Sequence, residues 1–155
     1  RRTQRIHSGD ALEIFTDGKG EVVFKKYSPL AELGEPAAAY ADVLARRLGC
    51  GVAVCDREKI VAAAGAGRSE LLGEPLPPEL DALLARRKLY TAPEEPLHRV
   101  ALGSRWLLCA APVLVHGDIE GGVLLPGMRR DAVPDPETIR AAATAAEFLA
   151  RWMGE

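Results

Sequence analysis

The feature that most constrains the fold of this chain is a pair of long apolar runs separated by only two residues. Residues 106–115 read WLLCAAPVLV, residues 118–125 read DIEGGVLL, and His116-Gly117 lies between them. Apolar runs bounded by turn residues predict buried strands, and a glycine in a two-residue connection predicts a tight hairpin. We therefore expect this hairpin to form the centre of a sheet.

Two shorter apolar runs predict a second pair of strands. Residues 51–55 (GVAVC) and 59–64 (KIVAAA) flank Asp56-Arg57-Glu58, which favours a tight antiparallel connection. A third short run at 98–102 (HRVAL) predicts one more strand just before the central hairpin. The glycines of Gly65-Ala66-Gly67 indicate a loop after the second pair.

Three segments predict helices. Residues 36–48 carry apolar side chains at helical spacing and end at Gly49, which is typical of a helix terminus. Residues 77–87 begin with proline and end with two arginines, and residues 135–153 begin with Asp135-Pro136, a cap followed by a proline at the first helical position. The order helix, two strands, helix, three strands, helix predicts an α+β domain with a central antiparallel sheet flanked by helices.

The first 27 residues predict a separate β-structure. Residues 10–16 (DALEIFT) and 21–27 (EVVFKKY) are β-rich runs joined by a turn-forming segment at 17–20. Their apolar side chains are too few to close a core, so the hairpin needs partner strands. We expect those strands to come from upstream sequence or from another chain. Ser28-Pro29 marks the junction with the rest of the chain.

Charge and composition narrow the class of protein. Hydrophobic residues make up 48% and charged residues 27%, which is the balance of a globular protein. Residues 1–27 carry a net charge of +2 and the remainder carries −4, so any affinity for phosphate is concentrated at the N-terminal end. The sequence shows neither an apolar run of about 20 residues nor a signal peptide, so we expect a cytoplasmic protein without membrane segments.

Specific residues carry a resemblance to a known family. Arg1-Arg2-Thr3, the run at 9–15 (GDALEIF) and the run at 25–29 (KKYSP) resemble the second half of an AbrB-type swapped-hairpin domain, a bacterial DNA-binding fold. The continuation at 28–34 (SPLAELG), with Tyr40-Ala41-Asp42 after it, is similar to the stage V sporulation protein T family. Shorter matches follow at 54–57, 117–118 and 148–151.

The resemblance implies a transcription regulator of the sporulation type with two parts. Residues 1–28 would be the second half of the DNA-binding barrel, whose first hairpin is absent from this sequence, and residues 29–155 a GAF-like sensor and oligomerisation domain. The family's arginine pair falls on Arg1 and Arg2, and Lys25 and Lys26 are basic neighbours that could also contact DNA. The resemblance further implies swapped dimers that pair into tetramers.

An unknown small-molecule effector or partner is expected to act on the GAF-like domain. The candidate ligand contacts are Cys55, Arg105, Trp106 and Cys109, since a charge beside apolar walls suits a small-molecule pocket. The helices at 30–48 and 135–153 would pass the change to the DNA-binding part. No cofactor or metal is expected, because Gly65-Ala66-Gly67 lacks the longer pattern of a phosphate-binding loop and no cluster has metal-ligand spacing.

Two alternatives stay open at this point. An enzyme of the sulfoxide-reducing GAF type would use Cys55 or Cys109 with His98 or His116 as base, because a thiol needs a base to become a nucleophile. Three cysteines without a CxxC pair instead favour buried, reduced thiols. The other alternative is a purely structural oligomerisation module held together by the two long helices.

Overall fold

The central hairpin forms as the sequence predicts. The computed structural model describes residues 11–16, 22–27, 34–93 and 99–154. Strand β7 (Arg105–Val115) and strand β8 (Asp118–Gly127) pair antiparallel from Val115 opposite Asp118 onward. The turn residues His116 and Gly117 have φ values of 53° and 84°, the left-handed conformations that suit the twist of a two-residue hairpin.

Four shorter strands extend this hairpin, namely β3 (Val52–Cys55), β4 (Ile60–Ala64), β5 (Tyr90–Thr91) and β6 (Ala101–Leu102). Together they form a six-stranded antiparallel sheet of order β4-β3-β8-β7-β5, with β6 also paired to β7. The predicted β3–β4 pair is confirmed. Asp56 closes its turn, since its Oδ1 accepts hydrogen bonds from the backbone N–H groups of Glu58 and Lys59 at 2.7 and 2.8 Å.

Strands β5 and β6 lie one after the other along the same edge of β7. Tyr90 of β5 pairs with Ala110, and Ala101 of β6 pairs with Trp106, so both strands pair with the same side of β7. The run at 98–102 predicted one strand, of which Ala101–Leu102 is observed. The two residues of β5 are too short for any sequence pattern to predict.

Two long helices cover one face of the sheet. They are α1 (Gly34–Leu48) and α4 (Pro136–Gly154), and alanines form most of their buried surface. The end of α1 is confirmed at Gly49, whose φ is 70° and whose N–H donates to the Ala45 carbonyl oxygen at 2.8 Å. The start of α4 is confirmed as well, because Asp135 Oδ1 accepts hydrogen bonds from the N–H and the hydroxyl of Thr138, both at 2.8 Å.

Two short helices and a leucine-rich cluster cover the other face. They are α2 (Arg68–Leu71) and α3 (Pro78–Ala85), of which α3 is predicted and α2 is not. Leu84 of α3 packs directly on β8 at Gly122, where an added Cβ would lie 2.7 Å from a Leu84 methyl group. The sheet is therefore covered on both sides, as the predicted α+β class requires.

The N-terminal hairpin is present as a two-stranded antiparallel ladder. Strand β1 (Ala11–Thr16) pairs with β2 (Val22–Tyr27), with Ala11 opposite Tyr27. The predicted turn at 17–20 lies outside the described residues. The hairpin agrees with the sequence pattern, while the AbrB-type barrel to which it was assigned stays a prediction. None of the described helices is long and apolar enough to cross a membrane.

Candidate functional site

The residues that the resemblance assigns to DNA belong to the N-terminal segment. Lys25 and Lys26 lie in β2, and the register places Lys25 opposite Glu13 of β1. Arg1 and Arg2 lie outside the described residues. DNA contact by these four basic residues therefore stays a prediction.

The two strand cysteines lie on opposite faces of the sheet. Cys55 is fully buried in the leucine-rich cluster under α2 and α3, and Cys109 is fully buried in the alanine-rich cluster under α1 and α4. Burial raises the pKa of each thiol to about 12. Both thiols are therefore protonated near neutral pH, and the sheet separates them.

The structure brings no described histidine to either cysteine. His116 lies exposed in the β7–β8 turn, seven residues along the strand from Cys109, a distance of roughly 20 Å. His98 lies outside the described residues. The third cysteine, Cys50, follows α1 and is partly buried, and desolvation and then the charge of Asp135 raise its pKa.

Arg105 is engaged in a network of its own side-chain contacts. Its Nε donates to Glu70 Oε1 at 3.2 Å, and its Nη1 contacts the sulfur of Met128. The Ser104 hydroxyl donates to Glu70 Oε2. This hydrogen bond from Ser104, followed by the one from Arg105, lowers the pKa of Glu70. Arg105 also covers Gly67, whose φ is 88° and where an added Cβ would lie 2.5 Å from the guanidinium.

Trp106 has a different partner from its neighbour in sequence. The guanidinium carbon of Arg130 lies 4.8 Å from the centre of the indole, which is a cation–π arrangement. The four candidate ligand contacts are Cys55, Arg105, Trp106 and Cys109. The structure places the two cysteines in separate clusters and the other two residues in separate polar contacts, and ligand binding by these residues stays a prediction.

Arg99 was not singled out by the sequence, and the structure gives it the most unusual environment of the described arginines. The residue is only 6% exposed, and Nη1 donates to the carbonyl oxygen of Ala132 at 2.5 Å. Its Nε and Nη2 are buried and have no hydrogen-bond partner within the described part of the chain. The only sequence signal was a cation inside the apolar run at 98–102.

Tyr90 shares this environment. Its hydroxyl is also buried without a hydrogen-bond partner among the described residues. Burial raises the pKa of Tyr90, while the positive charge of Arg99 acts in the opposite direction. The backbone places both residues along the same side of β7, since Tyr90 pairs with Ala110 and the Leu107 N–H donates to the carbonyl oxygen of Val100, the residue after Arg99. Buried polar groups are nearly always hydrogen-bonded in folded proteins, so this pair requires an explanation.

The two long helices meet through an aromatic contact. The rings of Tyr40 in α1 and Phe148 in α4 are edge to face with centroids 4.9 Å apart, and Trp152 lies 5.7 Å from Phe148. Phe148, Trp152 and the nearby Val43 nevertheless keep large exposed areas. The contact between α1 and α4 thus joins the two ends of the domain. It also leaves a partly apolar surface exposed.

An antiparallel sheet with two long terminal helices on one face and short helices on the other defines the region from α1 to α4 as a GAF-like domain. The "GAF domain/HD domain protein" from Geobacter sulfurreducens has the same fold, with a TM-score of 0.53 and 17% identity over 80% of this chain and 95% of that one. A second structure is the "cofactor binding GAF domain of the nutrient sensor CodY" from Clostridium difficile. It has a TM-score of 0.49 and 14% identity, covering 73% of this chain and 81% of that one.

The sequence comparisons are more specific than the fold. The family model "Stage V sporulation protein T C-terminal, transcription factor" matches residues 32–154. Stage V sporulation protein T of Bacillus subtilis is 35% identical over 164 aligned residues, which cover 99% of this chain and 86% of that protein. The chain belongs to the stage V sporulation protein T family and is a transcription regulator, as its sequence motifs predicted.

Proposed function

We propose that this regulator binds a small-molecule effector in its GAF-like domain and transmits the change through α1 and α4 to the N-terminal segment, which binds DNA. The observation that carries the proposal is the packing of the two long helices side by side, with Tyr40 against Phe148. Helix α1 begins only seven residues after β2 ends, so a shift of α4 against α1 reaches the hairpin over a short stretch of chain. We place this activity in the cytoplasm, with the bacterial chromosome.

DNA binding is assigned to Arg1, Arg2, Lys25 and Lys26. Arginine forks bind phosphate oxygens in pairs and stay charged at physiological pH. Replacing Arg1 and Arg2 together by alanine should weaken DNA binding about tenfold or more and reduce the slope of log affinity against log salt by about 2. Fluorescence anisotropy with DNA selected from a random pool by the full chain measures both quantities.

A matched control removes the same charge elsewhere. Arg47 in α1 and Arg140 in α4 are exposed, and their double replacement by alanine should leave the salt slope within error. An equal loss of affinity in both double variants would show that only net charge matters. It would contradict a DNA contact at the N-terminal end.

Transmission through the helices has its own test. Phe148→Ala removes the ring contact with Tyr40 while most of the α4 core stays in place. We expect this variant to bind DNA and effector but to lose the change in DNA affinity that the effector causes. A Phe148→Ala variant that responds like the wild type would contradict coupling through this contact.

The cysteine geometry supports a regulator without enzymatic activity. Cys55 and Cys109 are buried on opposite faces, with thiol pKa values raised to about 12, so neither has the character of an activated nucleophile. In the native protein only Cys50 should react within minutes with a disulfide reagent such as Ellman's reagent. Fast reaction of two or three thiols per chain would reopen the enzyme alternative.

Homo-oligomerisation is a second candidate function, supported by one observation. Val43, Phe148 and Trp152 are large apolar side chains with exposed fractions of 51%, 42% and 46% on the α1–α4 face. Contiguous exposed apolar surface of this kind is typical of a contact between subunits. We propose that a second copy of the chain covers it. Light scattering after size exclusion should give a smaller mass for Trp152→Ser than for the wild type.

A further inference from the structure

The guanidinium of Arg99 presents one complete donor edge without a partner. Nη1 is fixed by the Ala132 carbonyl oxygen, whereas Nε and Nη2 have no hydrogen-bond partner among the described residues. In a planar guanidinium the N–H of Nε and one N–H of Nη2 point in nearly the same direction. This edge is the fork that receives the two oxygens of a carboxylate side by side.

The burial of this edge favours an anionic partner. An arginine side chain stays charged at physiological pH, and a buried charge without a partner costs several kcal/mol of folding free energy. Arg99 is only 6% exposed, and Nε and Nη2 each have less than 1 Å² of accessible surface, so solvent does not satisfy the fork. An anion placed against Nε and Nη2 would offset this cost directly.

Tyr90 adds a third donor and an apolar surrounding. Its hydroxyl is unpartnered in the same part of the fold, and burial keeps it protonated, so it can donate to an anion. Its ring packs against the leucine-rich cluster that includes Leu80 and Leu84. A ligand at this place would thus meet donors at one end and aliphatic side chains at the other.

We propose that Arg99 and Tyr90 form the receptor for the carboxylate of a small aliphatic effector, held by the Nε–Nη2 fork of Arg99 and the Tyr90 hydroxyl. This inference rests on the proposed function, because it names the site and the ligand class of the sensing step. One guanidinium balances the single charge of a carboxylate, whereas a phosphate dianion would leave a second buried charge. Each donor atom has less than 1 Å² of accessible surface, so a ligand enters this site only when the surrounding side chains move.

The same side chain also touches the segment that leads into α4. Ala132, which accepts the Nη1 hydrogen bond, lies three residues before Asp135, the cap of α4. A carboxylate bound to Nε and Nη2 would therefore contact a guanidinium that is hydrogen-bonded to the segment just before α4. The receptor is thereby connected to the helix pair that the proposed function uses for transmission.

The test is binding of simple carboxylates to the full chain, measured by isothermal titration calorimetry. The probes are acetate, butanoate, 3-methylbutanoate and hexanoate, each beside its own amide, and inorganic phosphate. We expect saturable binding of at least one carboxylate and not of its amide. Arg99→Met should weaken it about tenfold or more, and Tyr90→Phe severalfold. Arg86→Met, at the exposed end of α3, is the control and should bind like the wild type.

Several results would overturn the receptor. They are the absence of binding by every carboxylate, equal binding of acid and amide, binding of phosphate alone, and wild-type affinity in Arg99→Met. The melting temperature separates a receptor from a structural arginine. A receptor predicts that Arg99→Met melts at or above the wild-type temperature, because a buried unpaired edge is removed. An Arg99→Met variant that melts well below the wild type or fails to fold contradicts this prediction, and wild-type carboxylate affinity in Tyr90→Phe contradicts the role of the hydroxyl.

Different results would contradict the proposed receptor and the proposed sensing function. A carboxylate that binds wild type but not Arg99→Met, while DNA affinity stays constant, upholds the receptor and contradicts sensing. DNA binding that responds to another compound in both wild type and Arg99→Met upholds sensing and contradicts the receptor.

Discussion

The surroundings of Arg105 and Arg99 show how differently one residue type is used on the two sides of the β6–β7 turn. Arg105, at the start of β7, bonds to Glu70, contacts Met128 and keeps 15% of its side chain exposed. Arg99, just before β6, is more deeply buried, and two of its three guanidinium nitrogens have no partner among the described residues. The first arginine is satisfied by the fold, and the second is not.

This difference indicates that unsatisfied buried donors are a stronger signal of a binding residue than residue type is. The sequence draws attention to Arg105 because it stands beside a tryptophan. In the structure, the hydrogen bonds that Arg105 and Ser104 donate to Glu70 connect β7 to α2. Arg99 carries the opposite signature, with a buried charge that the described chain leaves open.

The largest expected loss of stability comes from a substitution that displaces the Arg105 side chain. Gly67→Ala adds a Cβ 2.5 Å from Arg105 Nε at a φ of 88°, so backbone strain adds to loss of the ion pair with Glu70. We expect the free energy of unfolding in urea to fall by about 2–3 kcal/mol. Gly73→Ala is the matched control. Its φ is 87° and nothing lies within 4 Å, so it should cost only the strain of about 1–2 kcal/mol. Equal losses would mean that Arg105 adapts freely.

Replacing each of the two arginines by methionine should change the free energy of unfolding by different amounts. Arg105→Met removes a satisfied ion pair and should lower the free energy of unfolding by about 1 kcal/mol. Arg99→Met exchanges one hydrogen bond for the removal of two unpaired buried donors, so we expect no loss or a small gain. Urea unfolding of both variants checks this. Loss in Arg99→Met equal to that in Arg105→Met would make both arginines structural.

The smallest effect is a pH dependence in the Arg105 network. The folded protein lowers the pKa of Glu70 below 4.5, so the carboxylate stabilises the fold above that pH and this contribution disappears as pH falls through the folded pKa. Glu70→Gln should therefore melt below the wild type at pH 6, with a gap that narrows toward pH 3. A gap that is constant over this range would contradict an ionised Glu70 as the acceptor of Ser104 and Arg105.

Strong periodic signals allowed much of the fold to be predicted from the sequence. The β7–β8 hairpin and the long helices follow from apolar runs, Gly49 and the Asp135 cap, because these signals are local. Helix α2 and strand β5 were not predicted. With four and two residues, they exist through tertiary contacts that no window of sequence contains.

The candidate site was much less predictable, for a physical reason. Arg105 and Trp106 are conspicuous as a pair in sequence, but their partners Glu70 and Arg130 come from distant positions. The state of Arg99 depends on Ala132, which lies 33 residues away, and on burial beside β7. Residue types alone do not show which donors remain unpaired after folding. The proposed site is defined by those unpaired donors.

The most direct test of the central claim observes the two guanidinium groups themselves. In proton–nitrogen NMR spectra of the full chain, the Nε–H signals of Arg99 and Arg105 can be assigned through the Met variants. On titration with the carboxylate that binds most tightly, the account predicts a saturable shift of the Arg99 Nε–H signal and none for Arg105. Movement of the Arg105 signal, or an Arg99 signal that stays in place at saturation, would contradict it.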